Sequence, residues 1–379
     1  MLQVSVWGGS FFLMAVMADP IMKETGWASQ WVYGALSMSI LVSAMLAPLV
    51  SRLIARYGGR IILASSGSGV AVGLFLLANA TSLPMFLFSW AVIGVGMALG
   101  LYEALFAALG AQYGERAGGA ITGITLISGF ATTLTWPSIA FAIEHLGWRI
   151  TCNAYGVILL VAVAPLYLLV LPRGMRTIVK SHAKGDENTP TDPKIYTLLT
   201  TIFTLGAVIM TAMSVQLISL LQGQGYTLAA AIGLSALLGP SQVGSRVLQI
   251  FSRNRHPIWT TLISVVFVAI GLLLVTVAPG FTAIGLVLYG AGNGLRAIVR
   301  GLLPLTLMSS QQYVLLMGRM ARPSLIGQAL TPICGGYLLQ VWGAEKVLVG
   351  LSSLALLNVF LVFFLIRLIR NSGSLAKYN

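Results

Sequence analysis

The chain has 379 residues, of which 57% are apolar and only 8% charged, against roughly 45 to 50% and 25% in soluble domains. That composition excludes an ordinary soluble core. Its net charge of +13 does not mark a nucleic-acid binder, because the basic residues fall between apolar runs and not on one soluble face.

Twelve apolar runs follow one another, near 4 to 22, 31 to 53, 60 to 79, 84 to 107, 119 to 143, 150 to 171, 196 to 220, 228 to 250, 257 to 277, 281 to 300, 318 to 340 and 347 to 369. As helices they are long enough for a hydrocarbon layer about 30 Å thick, and none alternates with the period of two that a barrel requires. The first run ends at Asp19-Pro20 without a small-residue cleavage site, and reads as a retained helix and not a signal peptide. Of the 22 Lys and Arg residues, all but Lys23, Arg149 and Lys346 fall on one side when the runs are threaded alternately. That bias places this side, with both termini, in the cytoplasm.

The longest polar stretch, 172 to 195, follows the sixth run. The expected fold is therefore an all-α integral membrane protein of twelve transmembrane helices in two pseudo-symmetric six-helix bundles, 1 to 171 and 196 to 379, joined by a cytoplasmic loop. The halves echo one another. Gly26-Trp27 matches Gly225-Tyr226, and Ser51-Arg52-Leu53 matches Ser245-Arg246-Val247, as internal repeats would.

Charges at membrane depth are costly and mark candidate sites. Glu103, in the fourth run, is a candidate proton carrier that loads and releases a proton as water access alternates; a static partner for a nearby Arg is the competing reading. Asp19 is a second coupling candidate, although its neighbours Pro20, Lys23 and Glu24 suit a solvated helix end. In the tenth run Tyr289, Asn293, Arg296 and Arg300 recur at spacings that share one helical face. The fork of Arg296 suits a carboxylate, with Asn293 and Tyr289 orienting it, while snorkelling to the surface is the alternative. Gln216, Thr211, Tyr33, Trp7 and Phe11 are weaker pocket candidates, equally suited to packing. Cys152 and Cys334 suggest no motif, and His145, His182 and His256 are expected in loops. No metal set, catalytic set or phosphate-cradling loop is legible, so an enzyme, a cofactor and direct ATP drive are not expected.

The loop between the second and third runs reads Pro48-Leu49-Val50-Ser51-Arg52-Leu53-Ile54-Ala55-Arg56-Tyr57-Gly58-Gly59-Arg60. It resembles the signature loop of the major facilitator superfamily at Pro48, Arg52, Arg56, Gly58 and Arg60, with Ala55 where that family usually has an Asp. Glu24-Thr25-Gly26-Trp27, Gly100-Leu101-Tyr102-Glu103, Gly239-Pro240-Ser241-Gln242-Val243 and Gly290-Ala291-Gly292-Asn293-Gly294 are similar to a bacterial branch near the monocarboxylate and oxalate/formate transporters. The resemblance implies a secondary active transporter whose first, fourth, seventh and tenth helices line a central cavity. The expected protein is a monomer in a bacterial inner membrane that takes a small molecule, an organic anion being favoured by Arg296, together with H⁺ through Glu103. Proton-coupled efflux of a toxic or apolar compound is the alternative, followed by a receptor that kept the fold without the cycle.

Overall fold

The computed structural model describes residues 2–129, 131–171, 192–251 and 256–371; the greater part of the central loop, with Arg173, Arg176, Lys180, His182 and Lys184, lies outside them, as do Arg253, Arg255 and Lys377. Helices run from end to end: α1 (Leu2–Gly8), α2 (Met14–Thr25), α3 (Ser29–Tyr57), α4 (Gly59–Ala78), α5 (Leu83–Gly100), α6 (Tyr102–Tyr113), α7 (Ala117–Ser128), α8 (Ala131–Ile158) and α9 (Ala164–Val170). After the central loop come α10 (Pro193–Gly223), α11 (Leu228–Ser235), α12 (Leu238–Phe251), α13 (Pro257–Val277), α14 (Thr282–Leu307) and α15 (Ser310–Asn371).

Among the described residues nine helices are long and apolar enough to cross a bilayer. The twelve spans emerge once the irregular ones are resolved. α1 and α2 make one span, and α5 with α6 another. Within α8 and α15 the chain reverses at Gly147 (φ 78°, ψ 160°) and Gly343 (φ 77°, ψ 170°). Gly58 makes the same turn between α3 and α4 (φ 84°, ψ 160°), a left-handed φ that glycine alone adopts freely. The echoed glycines share this property, with φ of 69° at Gly26 and 96° at Gly225.

The residues form two compact units: Met1–Glu187 with Ser309–Ala329, and Asn188–Met308 with Leu330–Asn379. Inside each, helices approach through small residues, as membrane helices do in the absence of a hydrophobic drive between them. A Cβ on Gly96 would lie 2.5 Å from the Val70 nitrogen, and one on Gly73 2.8 Å from that of Ile93, so α4 and α5 meet backbone to backbone. In the second unit Gly271 and Gly292 do the same for α13 and α14, while Gly290 and Gly294 seat α14 on Ser241, Gln242 and Ser245 of α12.

Several expectations are corrected. α15 starts at Ser310, well before the 318 expected for the eleventh run, so Arg319 and Arg322 lie several turns inside the helix and not at its start. Arg246, inside the expected eighth run, is helical and buried, its Nε donating to the Gly294 carbonyl at 3.2 Å. His145 lies within α8 and not in a loop, its Nδ1 2.9 Å from the Phe141 carbonyl, while His256, outside any helix as expected, caps α13. Glu144 and His145 give the helix end at Gly147 the hydropathy of a loop.

Candidate functional site

Two of the expected spans are broken. In the first, the Trp7 carbonyl accepts from Ser10 N–H at 3.3 Å and from Phe12 N–H at 3.0 Å, so the regular ladder is lost between α1 and α2. Gly8 and Gly9 sit where a Cβ would meet Thr135 and Tyr155 within 2.6 Å, which brings α8 against the break. In the fourth span Leu101 is extended (φ −78°, ψ −174°), and the Gly100 carbonyl accepts instead from Gln3 Nε2 at 2.8 Å. Tyr167 Oη donates to Gln3 Oε1 at 3.1 Å. Non-helical backbone at membrane depth survives only where such partners satisfy it.

Aromatic rings gather at these breaks. Trp7 lies 4.9 Å from Tyr102 and 5.3 Å from both Phe11 and Phe12, and Tyr102 stacks on Phe106 at 5.1 Å. Trp136 donates its indole N–H to the Phe12 carbonyl at 3.1 Å. The Trp7 indole nitrogen is buried without a partner among the described residues. Glu103 is buried in the first turn of α6, which opens at this aromatic group.

The second unit carries the other polar group. Arg296 Nε donates to Asn293 Oδ1 at 3.0 Å, and its Nη2 donates to the Met210 sulfur at 2.7 Å. The chain has room because residue 206 is glycine: a Cβ there would come within 3.0 Å of Arg296 Cδ and 3.8 Å of Asn358 Nδ2. Tyr289 is fully buried among Met213, Leu217 and Leu220, and its hydroxyl has no partner among the described residues. Asn358 Oδ1 and both amide atoms of Gln216 are also buried and unpartnered there. Native interiors leave few such groups without an explanation.

Arg296 and Asn293 are thus joined directly, with Tyr289 on the same helix. Gln216 lies instead against Gly335 of α15. Asp19 and Tyr33 are exposed. In the signature loop Pro48 lies inside α3, Arg52 and Arg56 are exposed, and Arg60 donates through Nε (2.9 Å) and Nη2 to the Leu168 carbonyl. Met210, Gly206 and Asn358 escaped sequence reasoning, since nothing local ties them to Arg296. Among the described residues no group of His, Cys, Asp and Glu could hold a metal.

A family model described as the Major Facilitator Superfamily matches residues 1–303. No curated protein matches the sequence. Among solved structures, the human organic anion transporter MFSD10 (TETRAN) is similar at 15% identity and a TM-score of 0.71, over 95% of this chain and 96% of that one. The transporter FucP in its outward conformation is similar at 12% identity and 0.76, over 97% of each chain. A bacterial homologue of the iron transporter ferroportin, outward-facing, is similar at 13% and 0.76, again over 97% of each.

Proposed function

This chain belongs to the major facilitator superfamily, and from that premise we propose that it is a proton-coupled secondary transporter of a small organic anion. The observation that carries the anion preference is the Arg296 guanidinium, held inside α14 by a side-chain carbonyl and a thioether. A guanidinium offers five donors, and the unpartnered hydroxyl of Tyr289 and carbonyl of Asn358 add polar atoms in the same unit. Glu103 supplies the proton step in this reading: it is buried at the first turn of a helix that begins inside the span. The protein works as a monomer in a bacterial inner membrane with both termini cytoplasmic, a placement supported by the distribution of its basic residues.

Efflux of an apolar or aromatic compound is the second reading. The rings of Trp7, Phe11, Phe12, Tyr102 and Phe106, with an unspent indole N–H, suit a flat apolar ligand.

Reconstitution into proteoliposomes decides between them. Labelled carboxylates are expected to accumulate under an imposed pH gradient and to leak back when a protonophore is added. Glu103→Gln should abolish accumulation and keep exchange. Movement of neutral aromatic probes but no carboxylate would select the second reading, and absence of any solute movement would sink both.

A further inference from the structure

The start of α15 at Ser310 places two guanidiniums several turns inside one long helix. At 1.5 Å per residue, Arg319 and Arg322 lie roughly 14 and 18 Å from the first residue of the helix. Packing against α3 gives the same depth independently. A Cβ on Gly318 would stand 2.2 Å from the Ala47 carbonyl oxygen and 2.4 Å from Ser51 Oγ, and Arg322 Nη2 reaches Met45 Sδ at 3.4 Å. Met45 in turn is roughly 18 Å from the end of α3 at Tyr57. Arg322 thus lies about three turns inside α15, beside the middle of α3.

Both side chains are exposed. They share one face of α15 with Leu315, while Val314, Met317, Gly318 and Ala321 face inward. Across the seam α3 exposes Met45 at 48% and Leu49 at 50%. Among the described residues no carboxylate pairs with Arg319 or Arg322, and a thioether is only a weak acceptor. The Arg322 guanidinium offers more donors than Met45 can use.

We propose that Arg322, assisted by Arg319, binds the carboxylate of a small organic anion whose apolar body lies on Met45 and Leu49. This deepens the transporter reading and rests on it. The planar fork of Arg322 matches a carboxylate bidentately, and the thioether and leucine beside it favour a substituent over an inorganic ion. A phospholipid is the competing occupant, and the test below separates the two.

The test uses the full chain purified in detergent, with thermal unfolding read against a panel of C2 to C8 mono- and dicarboxylates, benzamide as a neutral control, and phosphatidylglycerol. At least one carboxylate is expected to stabilise the wild type and to lose about tenfold or more in apparent affinity in Arg322→Gln, the scale of a charge-assisted contact. Arg319→Gln should lose less, Arg322→Lys should recover part of the affinity, and benzamide should have no effect. Size-exclusion profiles confirm that the variants fold. Equal carboxylate binding by wild type and Arg322→Gln overturns the assignment. So does a substitution effect confined to phosphatidylglycerol, which would make the seam a lipid site. If no carboxylate binds the wild type while other solutes are transported, the assignment fails and the transporter stands; if nothing is bound or moved, the transporter reading itself falls.

Discussion

Gln3 and Gly100, 97 positions apart, are joined by a buried hydrogen bond of 2.8 Å from side-chain amide to backbone carbonyl. Breaking the fourth span at Leu101 strands that carbonyl, and Gln3 supplies the donor that the helix no longer provides. Gln3→Leu removes it and also leaves the Tyr167 hydroxyl without its acceptor. Each buried polar group so orphaned costs about 1–3 kcal/mol, so a marked fall in the thermal midpoint in detergent is expected. Tyr167→Phe, which removes only the outer bond, should cost about 0.5–1.5 kcal/mol. A Gln3→Leu protein as stable as wild type would mean that the break is held by other means.

That pair also shows where sequence reasoning stops. The twelve spans were legible because the bilayer demands long apolar runs, and the polar stripe of α14 because Tyr289, Asn293 and Arg296 recur with helical spacing. The turns at Gly26 and Gly225 were legible as an echo. Leu101, by contrast, is an apolar residue in an apolar run, and what permits the break there is a side chain at the far end of the sequence. Met210 and Gly206, which house Arg296, are equally ordinary in their own helix. The start of α15 was missed for the opposite reason: Ser310, Gln311 and Gln312 lower the hydropathy of its first turn, although the helix runs through them.

Arg149 closes one end of the first unit. Its Nε meets Glu24 Oε1 at 2.9 Å while Nη1 donates to the carbonyls of Ala78 and Ala80 at 2.8 and 2.9 Å, and Trp148 donates its indole N–H to Glu24 Oε2 at 2.6 Å. The Arg149 guanidinium, with help from Trp148, holds the Glu24 carboxyl below its ordinary value of 4.5. A depressed carboxyl contributes stability that is complete above that value and is lost as pH falls through the lower folded one. Wild type is therefore expected to lose its advantage over Glu24→Gln in acid below about pH 4.5, and thermal midpoints of the two across pH 3 to 7 check this. The pair is partly exposed, 33% for Arg149 and 49% for Glu24, so the effect is small. Arg149→Lys should cost more, since a single ammonium cannot span the carboxylate and both carbonyls.

His256 governs the start of α13. Its Nδ1 accepts from the Ile258 N–H at 3.1 Å, which requires that nitrogen to be unprotonated, and burial pulls the imidazole below its usual 6.5. The unfolded chain then takes up a proton more readily than the folded one, so stability held above pH 6.5 declines as pH falls. Hydrogen exchange at the Ile258 amide, corrected for intrinsic rate, should quicken between pH 7.5 and 5.5. His256→Asn keeps a capping acceptor and should remove the pH dependence. His256→Ala should cost about 1 kcal/mol above pH 6.5, the difference from wild type narrowing as pH falls.

Arg296 is tested most cleanly without touching its charge. Arg296→Ala should raise KM for a carboxylate substrate by about tenfold or more, but loss of a long chain from between α10 and α14 also disturbs packing. Gly206→Ala leaves the guanidinium in place and sets a methyl group 3.0 Å from its Cδ, closer than nine in ten such contacts, so the chain must shift along α14 and its fork turn away from Asn293. If Arg296 holds the anion, Gly206→Ala should raise KM for carboxylates and leave a neutral substrate untouched, because a small misplacement of a bidentate donor forfeits its geometry. Arg296→Lys should fall between the two, keeping charge without the fork. If Arg296 instead only snorkels, all three variants should keep KM near the wild-type value and differ in thermal midpoint alone.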